Sequence, residues 1–98
     1  MQPENRVPTH PGEILLLEFL EPMGLTQVAF AKHTSIPLQR VNEIVRGKRG
    51  VSPETAWILS EALGTTPEFW INLQTGYDLS RSRPERRIQP IMAVTSNA

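Results

Sequence analysis

The fold is decided between residues 26 and 47, where the chain reads TQVAFAKHTSIPLQRVNEIVRG. Ala31 is small at a point where two helices must approach closely, and Ser35 follows in a turn that permits only a sharp corner. Val41 and Ile44 then fall on the face of the next helix that packs back against the first. Two short helices joined by such a turn form a helix-turn-helix.

The outer face of the second of these helices is polar. With Val41 and Ile44 directed inward, Gln, Asn, Glu and Arg side chains are directed outward, and these residue types can hydrogen-bond to base edges. The sequence GKRG at residues 47–50 follows, and its cations are placed to contact phosphates. The alternative is an ordinary polar face on a small helical protein, but spacing and charge together favour DNA. The outward positions are Gln39, Asn42, Glu43 and Arg46, with Arg40 on the flank and Lys48 and Arg49 beyond.

Start and stop signals on either side predict three further helices, which makes an all-α chain of five. A cap residue followed by proline begins the first helix at residues 9–11, the fourth at 52–54 and the fifth at 66–68. Domain organisation follows from the same signals. We expect an N-terminal arm at residues 1–10, a helix-turn-helix domain at 11–80 with the motif at about 26–46, and a flexible basic tail at 81–98.

Apolar periodicity predicts which side chains form the core. Helix one is expected to turn Ile14, Leu17 and Leu20 inward, and helix two is expected to bury Val28, Phe30 and Ala31. On helix four, Trp57 is expected to be partly buried beside the inner stripe. The other expected core positions are Leu15 and Phe19 on helix one, Ala56, Leu59 and Leu63 on helix four, and Phe69, Trp70, Leu73 and Tyr77 on helix five.

Net charge is zero in this chain of 98 residues, with 10 Lys+Arg and 10 Asp+Glu, but the charge is segregated. Residues 1–31 sum to −3, residues 32–49 to +4, residues 50–78 to −4 and residues 79–98 to +3. The +4 block coincides with the helix that would meet DNA, so overall neutrality does not exclude a nucleic-acid partner. The longest apolar run, residues 14–17, is far too short to span a membrane, and a cytoplasmic protein is expected.

The sequence gives little support for an enzymatic or a metal-binding function. The chain has no cysteine, no Ser-His-Asp constellation and no phosphate-binding glycine loop, so neither an enzyme nor a cofactor is predicted. His10 and Glu13 have a spacing that metal ligands use, but no third ligand is near in sequence, and a helix-capping role is favoured for His10. His33 is expected to cap the second helix or to be exposed.

Residues 24–50 resemble the lambda-repressor-like helix-turn-helix proteins, and segments outside the motif narrow the resemblance to the HigA antitoxin family. These segments occur in the expected order and cover about residues 8–80. They read HPGEIL at 10–15, EFLEP at 18–22, VNEIVRGKRG at 41–50, PEFWINLQ at 67–74 and YDL at 77–79.

The resemblance implies a five-helix fold, a homodimer and an autorepressor of a type II toxin–antitoxin operon that binds a pseudo-palindromic operator. It also implies that the chain neutralises a HigB-type toxin, which cleaves mRNA on the ribosome. Two alternatives are a stand-alone regulator without a toxin and a module that mainly binds protein through its arm and tail. The family's DNA contacts would fall on Gln27, Pro37, Leu38, Gln39, Arg40, Glu43, Arg46 and Lys48.

Three positions depart from the family pattern. Ser35 replaces the usual turn glycine, so a non-glycine residue is expected in the left-handed conformation. Pro37 replaces a Ser or Thr cap, which would leave the N-terminal amides of the third helix unsatisfied. Ile58 stands where a polar residue is more usual, either as an exposed side chain or as part of an interface. The dimer is expected to form through helix five and beyond, where Ile71, Leu79 and Ile88 need cover.

Overall fold

The computed structural model describes residues 8–91, which form five α-helices and one π-helical segment, without a strand in that range. The prediction of an all-α, five-helix fold is confirmed. Most of the expected arm, residues 1–7, and the end of the expected tail, residues 92–98, lie outside the described residues. The last helix ends at Ser82, two residues inside the expected tail, and residues 83–91 follow it as exposed chain. The elements are α1 (Pro11–Ile14), the π-helical segment (Leu15–Leu20), α2 (Gln27–Thr34), α3 (Leu38–Val45), α4 (Pro53–Leu63) and α5 (Pro67–Ser82).

Three of the helices begin at the hydroxyl residues that the sequence marks as caps. In each, the side-chain oxygen accepts a hydrogen bond, at 3.0–3.2 Å, from the backbone N–H three residues later. A cap of this kind contributes about 1 kcal/mol to stability, which helps to fix the start of a short helix. The capping residues are Thr26 for α2, Ser52 for α4 and Thr66 for α5.

The π-helical segment changes which leucines of the first helix are buried. Leu15 and Leu20 are each 1% exposed, although residues five apart in an α-helix lie about 140° apart. The wider π-helical winding, seen in the 2.9 Å bond from the Glu21 N–H to the Leu16 carbonyl, brings them to one side. Leu17, which was expected to face inward at α-helical spacing, is therefore 46% exposed, and that prediction was wrong.

Three further core predictions were wrong. Phe69 of α5 is 38% exposed, because it lies at the edge of the core and meets Trp70 only edge-on. The other two, Val28 and Trp57, were wrong because of their positions on the helical wheel. Val28 is 57% exposed because it shares a face of α2 with the solvated Lys32 rather than with Phe30. Trp57 is 58% exposed because it shares a face of α4 with the exposed Glu61. The buried core consists of Leu15, Leu20, Phe30, Ala31, Ile36, Val41, Ile44, Val51, Ala56, Leu59 and Trp70.

The first turn of α1 packs directly on the end of α3. A Cβ atom at Gly12 would overlap the carbonyl oxygen of Ile44, so only glycine allows this approach. The contact places the start of α1 beside α3, the second helix of the helix-turn-helix. Within the described residues, none of the helices is both long and apolar enough to cross a membrane.

Candidate nucleic-acid interface

The α2–α3 corner is a sharp turn fixed by local hydrogen bonds. Ser35 has φ 64° and ψ 20°, the left-handed conformation expected for it from its place at the family's turn-glycine position. The Thr34 hydroxyl donates to the Phe30 carbonyl at 2.8 Å and accepts from the Ile36 N–H at 3.3 Å, which holds the chain on both sides of Ser35. The corner therefore carries backbone strain at one residue and is stabilised by its neighbour.

Val41 and Ile44 anchor α3 against the core, as their spacing predicts. Each is 1% exposed, and Ala31 of α2 is 8% exposed where the two helices approach. Because these side chains point inward, the opposite face of α3 is directed to solvent. Gln39 and Arg46 are exposed, and Arg40, Asn42 and Glu43 are partly exposed.

A groove of about 600 Å³ runs between the start of α2 and the outer face of α3. Across it, the Asn42 side-chain amide donates a hydrogen bond to Gln27 Oε1 at 3.3 Å. This bond joins residues from both helices, so the two elements present one continuous polar surface. The groove is lined by Thr26, Gln27, Val28, Leu38, Gln39 and Asn42.

Both helix N-termini at this groove have backbone N–H groups without an intrahelical partner. Thr26 caps only the Ala29 N–H of α2. Pro37 precedes α3 and makes no side-chain cap, as expected, and the first intrahelical bond there is from the Val41 N–H to the Pro37 carbonyl at 3.0 Å. Free N–H groups and the positive end of the helix dipole make such an end a favourable place for an anion.

Beyond α3 the chain turns at Gly47, which has φ 76°, and presents two exposed cations. The Lys48 and Arg49 N–H groups both donate to the Glu43 carbonyl, at 2.8 and 3.2 Å, which fixes this turn. The Glu43 carboxylate itself accepts from Arg49 Nε at 2.8 Å and from Gln39 Nε2 at 3.2 Å. These two hydrogen bonds, first from Arg49 and then from Gln39, lower the pKa of Glu43.

Not every predicted contact residue lies at the groove. Arg46 lines a separate cavity of about 410 Å³, together with Pro8, Glu13 and Tyr77 among others. Five more predicted contact residues are outside the groove lining: Pro37, Arg40, Glu43, Lys48 and Arg49. Of these, Glu43 is hydrogen-bonded to Gln39 at the groove, and Arg49 is bonded to Glu43. The role of each of these residues in binding stays a prediction.

His10 is a buried cap for α1, in the role that the sequence favours. Its Nδ1 accepts a hydrogen bond from the Gly12 N–H at 2.9 Å, and the residue is only 8% exposed. Its ring meets Tyr77 of α5 edge-on, with the centroids 4.8 Å apart. Burial lowers the pKa of His10, although the carboxylates of Asp78 and Glu13 act in the opposite direction. The contact with Tyr77 has no local signal in the sequence.

His33, by contrast, is exposed. Within residues 8–91, no group of three or more His, Asp or Glu side chains is arranged to hold a metal ion. The α2–α3 corner is therefore a helix-turn-helix with an open polar face.

Comparison with known proteins agrees with this geometry. A family model described as Helix-turn-helix matches residues 16–70. The chain is 40% identical over 97 residues to Virulence-associated protein I of Dichelobacter nodosus, covering 97% of this chain and 90% of that protein. It is 41% identical over 83 residues to Antitoxin HigA-1 of Vibrio cholerae, covering 85% of this chain and 78% of that protein.

Solved structures give the same result. The Pseudomonas aeruginosa antitoxin HigA, solved with the higBA promoter, superposes with a TM-score of 0.81 at 36% identity, covering 87% of this chain and 99% of that one. The antitoxin GraA in complex with its operator gives a TM-score of 0.79 at 41% identity, covering 88% and 93%. The chain belongs to the HigA-type antitoxin family of helix-turn-helix proteins, which confirms the resemblance seen in the sequence.

Proposed function

We propose that this protein binds an operator upstream of its own operon as a homodimer and represses transcription, and that it neutralises a HigB-type mRNA-cleaving toxin. The observation that carries the DNA-binding part is the groove at the α2–α3 corner. There the Asn42–Gln27 hydrogen bond joins the outer face of α3 to a helix N-terminus with free N–H groups. Polar side chains for bases and N–H groups for phosphates thus lie on one surface.

In the proposed complex, α3 enters the major groove, which is wide enough to admit one helix. Gln39 and Arg40 read base edges, while the N-terminal amides of α2 and α3 bind phosphates on either side. Lys48, which is exposed on the turn after α3, contacts a phosphate and fixes the register. Specificity and positioning are thereby divided between different residues of the same corner.

The proposed dimer forms through the end of α5 and the segment that follows it. Leu79 is 68% exposed, Ile88 69% and Ile91 fully exposed, so these apolar side chains have no cover within the described chain. Ile71, by contrast, is only partly exposed and packs against the core. Two α3 helices related by a dimer axis would enter successive major grooves about 34–36 Å apart, and the operator would be a pseudo-palindrome.

Two observations support the assignment to a toxin–antitoxin operon. The relative from Vibrio cholerae is named an antitoxin, and two neighbours were solved with a promoter or an operator. In addition, residues 50–78 carry a net charge of −4, which suits a basic partner such as a ribosome-associated toxin.

A mobility-shift assay with the promoter fragment of the chain's own operon, a scrambled competitor and a salt series tests the proposal. We expect a shift that the scrambled DNA does not compete away. Absence of a specific shift, together with tight capture of a co-expressed small basic protein, would favour the protein-binding module instead. A specific shift without any toxin partner would favour the stand-alone regulator.

A further inference from the structure

The one ion pair among residues 8–91 lies at the proposed DNA interface. Arg49 Nε and Glu43 Oε1 are 2.8 Å apart, and the second oxygen of the same carboxylate accepts from Gln39 Nε2 at 3.2 Å. A base-reading candidate and a phosphate-binding candidate are therefore both held by one acidic side chain. Glu43 is partly exposed, and Arg49 is more exposed, so duplex DNA can reach the pair.

Glu43 is well suited to hold these two residues in the free protein. Its position is fixed because its carbonyl accepts the N–H groups of Lys48 and Arg49, and it lies one residue before the fully buried Ile44. The Glu43 carboxylate is ionised at neutral pH, as glutamates ordinarily are, and the hydrogen bonds from Arg49 and Gln39 lower its pKa further. The cation and the amide are thus held by a permanent negative charge.

On random DNA, this surface of the protein can contact phosphates but finds few matching bases. To bind a phosphate, Arg49 must give up its bond to Glu43, and the freed carboxylate then lies close to the negatively charged backbone. On a correct operator, base contacts from Gln39 and Arg40 support the complex while Arg49 stays paired with Glu43. Binding to random DNA depends on phosphate contacts, so it is random DNA that loses the contribution of Arg49. The acidic residue therefore weakens non-specific binding more than specific binding.

We infer that Glu43 is a specificity-determining residue that acts by positioning and neutralising Arg49 and Gln39, rather than by accepting a hydrogen bond from cytosine. This inference rests on the proposed operator binding. It differs from the sequence-based hypothesis, in which the Glu43 carboxylate contacts a base directly.

The test compares Glu43→Gln with the unmodified protein on operator and on scrambled duplexes over a salt series. We expect scrambled DNA to bind about threefold to tenfold more tightly, because one cation is released and one repulsion removed. The slope of log affinity against log salt should steepen by about one unit on scrambled DNA. Operator affinity should rise less, so the ratio of operator to scrambled affinity falls. Glu61→Gln, which removes an exposed carboxylate from α4, is the matched control and should leave the ratio unchanged.

A double variant, Glu43→Gln with Arg49→Gln, shows whether Arg49 carries the effect. The gain on scrambled DNA should disappear in the double variant, and thermal melting should show that both variants fold. The inference is overturned if scrambled affinity does not rise, if both duplexes gain equally, or if the gain survives loss of Arg49. A loss confined to the operator would instead assign Glu43 a direct base contact. Failure of the proposed function is distinct, since the unmodified protein would then show no operator preference.

Discussion

Two corners between helices in the described part of the chain, α2–α3 and α4–α5, have similar backbone turns but differ in how their polar groups are paired. Each passes through one left-handed residue, Ser35 with φ 64° and Gly64 with φ 76°. At the second corner, Thr66 caps α5, and Thr65 Oγ1 accepts a hydrogen bond from the Trp70 indole at 2.7 Å. At the first, α3 follows Pro37 and begins without a side-chain cap.

The two corners differ in whether their polar groups have hydrogen-bond partners within the protein. In the α4–α5 corner, the hydroxyls of Thr65 and Thr66 take up N–H groups, and Trp70 is fully buried. In the α2–α3 corner, N–H groups and amide side chains are left toward the groove. One corner therefore stabilises the fold, whereas the other is available to a ligand, and four predictions test this division.

The largest expected effect is on the stabilising corner. Trp70→Ala should lower the free energy of unfolding by about 3–5 kcal/mol, because a large core side chain is removed and a cavity is left. Urea unfolding followed by circular dichroism measures it, and Trp70→Phe provides a milder variant if the alanine variant does not fold. Trp57→Ala is the matched control, since Trp57 is 58% exposed, and should change stability by about 0.5 kcal/mol or less. Equal losses for both tryptophans would contradict the division.

The second-largest effect is expected at the α2–α3 corner, in the affinity for DNA. Arg40→Ala should weaken operator binding by about 1–3 kcal/mol and relax sequence preference, because a base contact is lost. Lys48→Ala should weaken binding to every sequence alike and lower the salt slope by about one unit, because a phosphate contact is lost. Fluorescence anisotropy on operator and random duplexes separates the two. Equal loss on both duplexes for Arg40→Ala would exclude base reading by that residue.

A reciprocal exchange at the two left-handed positions should give effects of opposite sign. Gly64→Ser should destabilise the protein by about 1 kcal/mol through backbone strain alone, since a Cβ there meets nothing within 4 Å. Ser35→Gly should stabilise it by about 0.5 kcal/mol, because relief of strain exceeds the entropy that glycine adds to the unfolded chain. Thermal melts of the two variants provide the comparison. Destabilisation by Ser35→Gly would show that the serine contributes more than its strain costs.

The smallest effect concerns pH and arises at His10, which lies away from both corners, between the start of α1 and α5. Its pKa is lowered from 6.5 on folding, chiefly by burial, so the unfolded chain binds a proton first. The contribution of the neutral His10 to the free energy of unfolding is therefore fully present above about pH 6.5, and it is lost as the pH drops toward the pKa of the folded state. Protonation also removes the acceptor for the Gly12 N–H. His10→Asn, which can cap without titrating, should flatten the melting temperature between about pH 7 and pH 5.5, whereas His33→Asn should not.

Much of the fold follows from local sequence. The hydroxyl caps at Thr26, Ser52 and Thr66 are recognisable because capping depends on a residue and the backbone three positions later. The left-handed Ser35 was predicted through the family resemblance, because it occupies the position of the usual turn glycine. The π-helical segment is not predictable in this way. It lets both Leu15 and Leu20 pack in the core, and that packing depends on other parts of the chain rather than on neighbouring residues.

The site shows the same limit. Spacing identifies the outer face of α3, but not the hydrogen bond from Asn42 to Gln27 on another helix. The two partners are far apart in sequence, and their meeting depends on the angle of the corner. Glu43 was predicted as a base contact because its wheel position faces outward. Its pairing with Arg49 depends on the turn at Gly47, which bends the chain back toward α3.

The packing of Gly12 on the Ile44 carbonyl bears on whether the DNA-reading motif is portable. The start of α1 lies between the end of α3 and α5, with His10 against Tyr77 on the far side. Both Gly12 and Tyr77 lie outside residues 16–70, the span that matches the helix-turn-helix family. The orientation of α3 is therefore set partly from outside the motif. Residues 26–47 grafted onto another scaffold would keep their side chains but lose the packing against α1 that helps to orient α3.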